Sequence, residues 1–211
     1  MDSLPRALKR ALAAPLPGLD AQLRMAPRFA EGAEPRTLRD GLRHAAALLL
    51  LYPHRGEWHV PLTLRGATLR HHTGQVSLPG GRLDAGETVE AAALREAHEE
   101  IGVAPADVEV LGQLTPLPIQ VSGHLLHPVV GVAAARPAFV LAEHEVETLI
   151  EVPLADLRRM EVHWEVRWRA RAPFGEMNVP CFDVGGSVRV WGATAMVLAE
   201  FLAVLEAADA V

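Results

Sequence analysis

Residues 81–103 read GRLDAGETVEAAALREAHEEIGV. Thr88 stands where a hydroxyl can cap a helix running to about Ile101, and Gly102 stops it, as glycine does just past a helix end. Glu96, Glu99 and Glu100 lie at i, i+3 and i+4, so at about 100° per residue they share one arc of the helix surface. Leu94, Ala97 and Ile101 occupy a neighbouring face suited to packing on a sheet while the acids point into a cleft. Three adjacent carboxylates repel one another and raise at least one proton affinity unless cations offset the charge. Oxygen-only ligands select hard ions such as Mg²⁺ or Mn²⁺, which neutralise a pyrophosphate and lower the pKa of an attacking water.

Outward from this helix, Gly74, Gly80 and Gly81 punctuate a short strand at Gln75 to Leu78. Ala45 to Tyr52 and Trp58 to Leu64 are dense in apolar residues and flank the turn-forming Pro53-His54-Arg55-Gly56, which predicts a hairpin. Further strands are predicted at Val108 to Leu114, Leu125 to Ala133, Ile150 to Val152, Glu161 to Trp168 and Val179 to Val184. The acidic run Glu143-His144-Glu145-Val146-Glu147 reads as a short helix or loop, and Pro153 as a turn. A last helix runs from Trp191 to about Ala207, with Leu198, Phe201, Leu202 and Leu205 on one side. Ser3 can cap a helix that ends before Pro15. Residues 1–43 therefore read as a helical extension packed on a domain of residues 44–211. Strands mixed irregularly with strong helices predict an α/β fold, a mixed sheet between helices rather than a regular βαβ winding.

The 211 residues suffice for one domain, and 50% hydrophobic with 22% charged residues describes a folded protein. A net charge of −6 argues against a nucleic-acid partner, which calls for surplus Lys and Arg. No apolar run approaches the roughly 20 residues of a membrane span. Arg6, Lys9 and Arg10 fall inside an amphipathic stretch rather than ahead of an apolar one, so no secretory pattern is visible and a cytoplasmic location is the expectation. Cys181 stands alone, which leaves no internal disulfide. A small-molecule substrate is the expected partner; the oligomeric state is not legible.

An REAHEE string by itself also describes a solvated helix face. However, Gly81, Glu87, Arg95, Glu96, Glu99, Glu100 and Gly102 together match the Nudix box, a coincidence on the order of one in a million at average residue usage. Ala97 departs from the box, standing where a bulky aliphatic is usual. The resemblance implies a Nudix-type α/β/α sandwich with a mixed β-sheet, and a hydrolase of pyrophosphate bonds. It implies that Glu96, Glu99 and Glu100 bind the metal, with the Gly80 carbonyl a further ligand, and that Glu87 and Arg95 pair to orient the acids. For the general base it leaves two alternatives, Glu100 and Glu145, with Glu143 and Glu147 as substitutes for the second.

The segment LTLRGATLRHHTGQVSLPGG, residues 62–81, resembles the signature ahead of the box in coenzyme A pyrophosphatases, with Gly66 for Ser and Leu78 for Phe as departures. Ser122-Gly123, Pro128-Val129-Val130-Gly131 and Val190-Trp191-Gly192-Ala193-Thr194-Ala195 resemble the same branch. This resemblance implies coenzyme A or acyl-CoA as substrate, with 3′,5′-ADP and 4′-phosphopantetheine as products. Arg65, Arg70 and Arg82 are the expected phosphate contacts, with His72 aligned to the signature histidine and Gly80 and Gly81 lining the substrate loop. Two other readings stay open: another nucleoside diphosphate derivative such as ADP-ribose or a dinucleotide, and a non-catalytic nucleotide-binding module. His71, His72, His124 and His127 lack the cysteines or spaced pairs of a zinc site. Trp164 and Trp168 are expected in the core.

Overall fold

The computed structural model describes residues 3–29, 41–65, 75–119, 122–159, 161–168, 176–185 and 188–209. In chain order, α1 (Ser3–Leu12) and α2 (Gly18–Gln22) precede β1 (Arg28–Phe29), β2 (Arg43–His54), β3 (Glu57–Arg65), β4 (Val76–Ser77) and β5 (Gly80–Arg82). Then come α3 (Val89–Ile101), β6 (Val108–Gln113), β7 (Leu117–Ile119), β8 (His124–Ala133), β9 (Val146–Pro153) and α4 (Leu154–Arg159). The chain closes with β10 (Val162–Trp168), β11 (Glu176–Asp183), β12 (Arg189–Trp191) and α5 (Gly192–Asp209).

An uninterrupted apolar run from Ala46 to Tyr52 demands a strand covered on both faces. Such a strand is β2, in which every residue from Ala46 to Tyr52 is buried. Ala46, Leu48, Leu50 and Tyr52 pack with Ala92, Ala93, Ala97 and Ile101 of α3. Ala47, Leu49 and Leu51 face the opposite layer, where Leu198, Phe201 and Leu205 of α5 meet Leu8 and Leu12 of α1. Period-two alternation on a single strand thus divides two helix layers, which is the α/β/α sandwich the sequence predicts.

The large sheet runs β4-β3-β2-β8-β6, with β5 on β2, β7 on β8 and β9 on β3. It is mixed: β2 and β8 are parallel, while β3, β5 and β6 join by antiparallel pairing. The β2–β3 hairpin is as predicted, with Arg55 and Gly56 both at positive φ in its turn. β3 pairs with β2 only over Tyr52 to His54. Beyond that β5 takes the place of β3, pairing with Ala45 to Ala47. The exchange leaves the segment before α3 lying on the middle of the sheet rather than at its rim.

Several features lie outside the sequence expectations. A smaller antiparallel sheet, β1-β11-β10 with β12 on β11, stands beside the large one. Pro153 ends β9 and leads into the short helix α4 rather than a simple turn. Trp164 is not in the core: it is 46% exposed, with the Arg28 guanidinium 4.3 Å over its ring, on β10 at the edge of the smaller sheet, where Val162 and His163 are exposed as well. The side chain of Trp168 lies outside the described residues. At the N-terminal end, Glu200 of α5 is fully buried and accepts from Gly18 N at 3.1 Å, Gln22 Nε2 at 2.7 Å and Thr115 N at 3.2 Å. This carboxylate ties α2 and the loop after β6 to α5. Among the described residues, no helix is long and apolar enough to cross a membrane.

Candidate active site

α3 is held in place at both ends. The Thr88 hydroxyl accepts the Ala91 N–H at 3.2 Å. At the other end Gly102 adopts φ 73°, its N–H donates to His98 O, and Val103 N–H reaches Ala97 O. This is the paired closure that a left-handed terminal residue allows. Ala92, Ala93, Ala97 and Ile101 bring the helix down onto β2 and β8, and Ala97, though small for its box position, is fully buried there. The adjoining arc carries Arg95, Glu96, Glu99 and Glu100.

Arg95 is the hub of this arc. Its Nε and Nη2 donate to both Glu87 carboxylate oxygens at 2.9 and 3.0 Å, and Nη2 also donates to Arg82 O at 2.9 Å. Its Nη1 donates to Glu96 Oε1 at 2.9 Å and Glu99 Oε2 at 3.2 Å. The Arg95 guanidinium, helped by the Asp84 N–H, holds the Glu87 carboxyl below the usual range. Glu96 shifts the other way: burial pushes it up against the pull of Arg95, and the charges of Glu99 and Glu145 push it further. Glu145, at the far end of the loop before β9, thus lies within electrostatic reach of Glu96.

Gly80 and Gly81 are required by close approach. A Cβ on Gly80 would strike Ala46 O and the Ala47 Cα, so β5 could not lie against β2. A Cβ on Gly81 would strike the Glu96 carboxylate itself. The loop backbone at Gly81 and the Glu96 carboxylate are thus packed against one another. Glu100 is 4% exposed, Glu99 is exposed, and Arg82 turns its side chain to solvent while its carbonyl holds Arg95. Glu143 and Glu147 are exposed. Arg70 and His72 lie outside the described residues, as does the side chain of Arg65.

Among the described residues, no group of three or more His, Cys, Asp and Glu side chains is gathered closely enough to hold a metal ion. The donors nevertheless suit a hard divalent ion in kind, being carboxylate oxygens. They also suit it in direction: a single cationic N–H group, Arg95 Nη1, is shared by Glu96 and Glu99, so the two carboxylates can converge on one positive charge.

Some supports were not visible in the sequence. Thr63 Oγ1 lies 3.0 Å from Ser77 Oγ and Thr194 Oγ1 donates to Val76 O at 3.0 Å, tying the strand before the glycine loop to β3 and α5. Such pairs join residues far apart in the chain and leave no local pattern. The connector 134–145 is another: Val140 N–H donates to Ile101 O at 3.1 Å and Ala142 N–H to Glu100 O at 2.9 Å, satisfying terminal carbonyls of α3.

A family profile for the NUDIX domain matches residues 42–172. The chain is 35% identical over 159 residues to the "Uncharacterized Nudix hydrolase NudL" of Citrobacter koseri, covering 75% of this chain and 81% of that one. It is 35% identical over 168 residues to the protein of the same name from Escherichia fergusonii, covering 79% and 85%. Among solved structures, the MutT protein from Methanosarcina mazei Go1 shares the fold at a TM-score of 0.51 and 18% identity, over 79% of this chain and 96% of that one. Profile, relatives and architecture agree with the acidic helix and its glycine loop, and the chain belongs to the Nudix family as a hydrolase of pyrophosphate bonds.

Proposed function

We propose that this Nudix hydrolase cleaves the diphosphate of coenzyme A, and of acyl-CoA esters, to 3′,5′-ADP and 4′-phosphopantetheine. The observation that carries the site is the convergence of Glu96 and Glu99 on one cationic point beside Gly81. The choice of coenzyme A rests on the signature-like segment 62–81, which leads directly into that loop. The catalytic unit in this reading is residues 44–211, with residues 1–43 as an extension packed on it.

Nudix hydrolases use divalent metal ions. Glu96, Glu99, Glu100 and the Gly80 carbonyl would hold Mg²⁺ or Mn²⁺, which when bound supplies charge neutralisation of the diphosphate and a lower pKa for the attacking water. Glu87 locks Arg95, and Arg95 aims Glu96 and Glu99. Arg82, with Arg65, Arg70 and His72, meets the substrate phosphates. Glu145 or Glu100 takes the proton of the attacking water. For Glu145 the support is its electrostatic coupling to Glu96; for Glu100 it is a place on the acidic arc.

The test is incubation of purified protein with Mg²⁺ or Mn²⁺ and, separately, coenzyme A, acetyl-CoA and ADP-ribose, with products identified by mass spectrometry. Metal-dependent release of 3′,5′-ADP is expected. Rapid cleavage of ADP-ribose beside intact coenzyme A would move the assignment to another nucleoside diphosphate derivative, and binding without turnover in any divalent metal would make the chain a nucleotide-binding module. Glu99→Gln and Glu100→Gln should each lower kcat by about two orders of magnitude or more with circular dichroism unchanged. Near-normal turnover in both would remove the metal assignment.

A further inference from the structure

A second polar cluster lies on the same face of the large sheet as α3. It sits roughly 20 Å along β2 from the Gly81 pairing, at about 3.3 Å per strand residue. Tyr52 Oη donates to Glu151 Oε2 at 2.8 Å. Arg136 grips the same carboxylate as a fork, Nε to Oε2 at 2.7 Å and Nη2 to Oε1 at 2.8 Å. The Arg136 guanidinium also lies 5.1 Å over the ring of Phe139, which meets Tyr52 edge-on at 5.4 Å. Two strands, β2 and β9, thus grasp the first half of the connector 134–145.

The second half of that connector runs over the C-terminal end of α3. Val140 N–H and Ala142 N–H donate to Ile101 O and Glu100 O, and a Cβ at Gly102 would press on Val140 at 3.0 Å. The connector ends at Glu145, whose N–H returns to Ala142 O at 2.8 Å. The Glu145 side chain pairs with His144 at 3.4 Å, but both are open to water, where such a pair contributes little. With so weak a side-chain tie, the position of Glu145 follows chiefly from the course of its backbone.

We propose that Arg136 and Glu151 are a positioning pair for the reaction: their forked ion pair fixes the course of the connector over α3 and so sets where Glu145, at the connector's end, is held. This rests on the reading of Glu145 as the group that takes the proton from water. Neither residue of the pair touches substrate. They act through roughly ten residues of backbone whose freedom they remove. A displacement of about 1 Å at a reacting group can lower turnover up to a hundredfold while leaving substrate binding nearly unchanged.

The test uses the full chain with Mg²⁺ and coenzyme A, or ADP-ribose if that is the compound cleaved. Arg136→Ala, Arg136→Lys, Glu151→Gln and the exchange Arg136→Glu with Glu151→Arg are compared, and Arg136→Ala is also made in a Glu145→Gln background. Arg136→Ala and Glu151→Gln are expected to lower kcat about tenfold with KM within about twofold, and to speed hydrogen exchange at the Val140 and Ala142 amides. Arg136→Lys keeps the charge without the fork and should fall between; if Arg136→Ala fails to fold, it carries the comparison. The charge exchange should recover most of the loss. In the Glu145→Gln background Arg136→Ala should add nothing, since both act on one group. Wild-type kcat in Arg136→Ala, or a multiplicative loss in the double variant, would overturn the positioning role while leaving Glu145 as the base. Wild-type kcat in Glu145→Gln alone would instead remove the base, and the positioning role with it.

Discussion

Gly81 shows how one residue can be chosen by another. The Glu96 carboxylate occupies the space a side chain would need there, so Gly81→Ala forces either the loop or the acid to move. The carboxylate is the free end of a flexible side chain and can give way at little cost to the fold, whereas in the proposed role as a metal ligand it cannot be displaced without consequence. Gly81→Ala should therefore lower kcat about a hundredfold while the melting temperature changes by only a few degrees; wild-type turnover would show that Glu96 can retreat without consequence. Gly81 and Glu96 are legible in the sequence as members of a motif. That they touch, and that Arg95 binds Glu87, Glu96, Glu99 and the Arg82 carbonyl together, is a fact of geometry. Those contacts join a loop to two turns of a helix, and no spacing along the chain specifies them.

At the scale of the element, α3 is the most legible part of the chain, because its apolar and acidic faces lie within thirteen residues of helix and its cap and terminal glycine directly flank them. Gly102 is the position where this local logic meets the rest of the molecule. Its φ of 73° strains any L side chain, and a Cβ there would also press on Val140. Gly102→Ala is expected to cost about 1–2 kcal/mol in urea unfolding, the positive φ and the contact adding together; a change below about 0.3 kcal/mol would show that the helix end relaxes freely. The elements without a signal in the sequence are short: β1, β5, β7, β12, α2 and α4 have two to six residues each, too few for a period to appear. Trp164 was misplaced for a related reason. Its aromatic, strand-like neighbourhood marks a strand correctly, but which face of that strand meets the core depends on what packs beside it.

For the whole molecule, the helix layer opposite α3 is knit together by a buried polar anchor. Glu200 accepts from Gly18, Gln22 and Thr115, so Glu200→Ala leaves three donors without that acceptor and frees α2 from α5. About 3 kcal/mol of stability should be lost, with faster proteolysis near residues 13–18 as the accompanying sign. The acid limb of stability has a different source. The Arg136 guanidinium holds the Glu151 carboxyl down to about 2 from an ordinary 4.5, against burial, with Tyr52 helping. A depressed carboxyl contributes in full above its unfolded value and loses that contribution as pH falls through the folded one, so the window is pH 4.5 to about 2. Arg136 is partly exposed, and solvent screening limits the contribution to about 1–2 kcal/mol. The stability gap between wild type and Glu151→Gln should shrink across that window in acid titrations followed by circular dichroism. A gap that stays constant with pH would refute the assignment.

The residues of α3 and the glycines before it determined by themselves what chemistry this protein can perform, because helical spacing places three acids on one arc without help from any other segment. The uninterrupted apolar run at 46–52 determined equally that the sheet is covered on both faces. Only the tertiary structure decided that the charge of Glu145 reaches Glu96, that a second sheet accompanies the first, and that Arg136 on the connector is gripped by Glu151. The physical reason is distance along the chain. Local periodicity writes helices and strands into a sequence, while contacts between remote segments follow from how the assembled layers close.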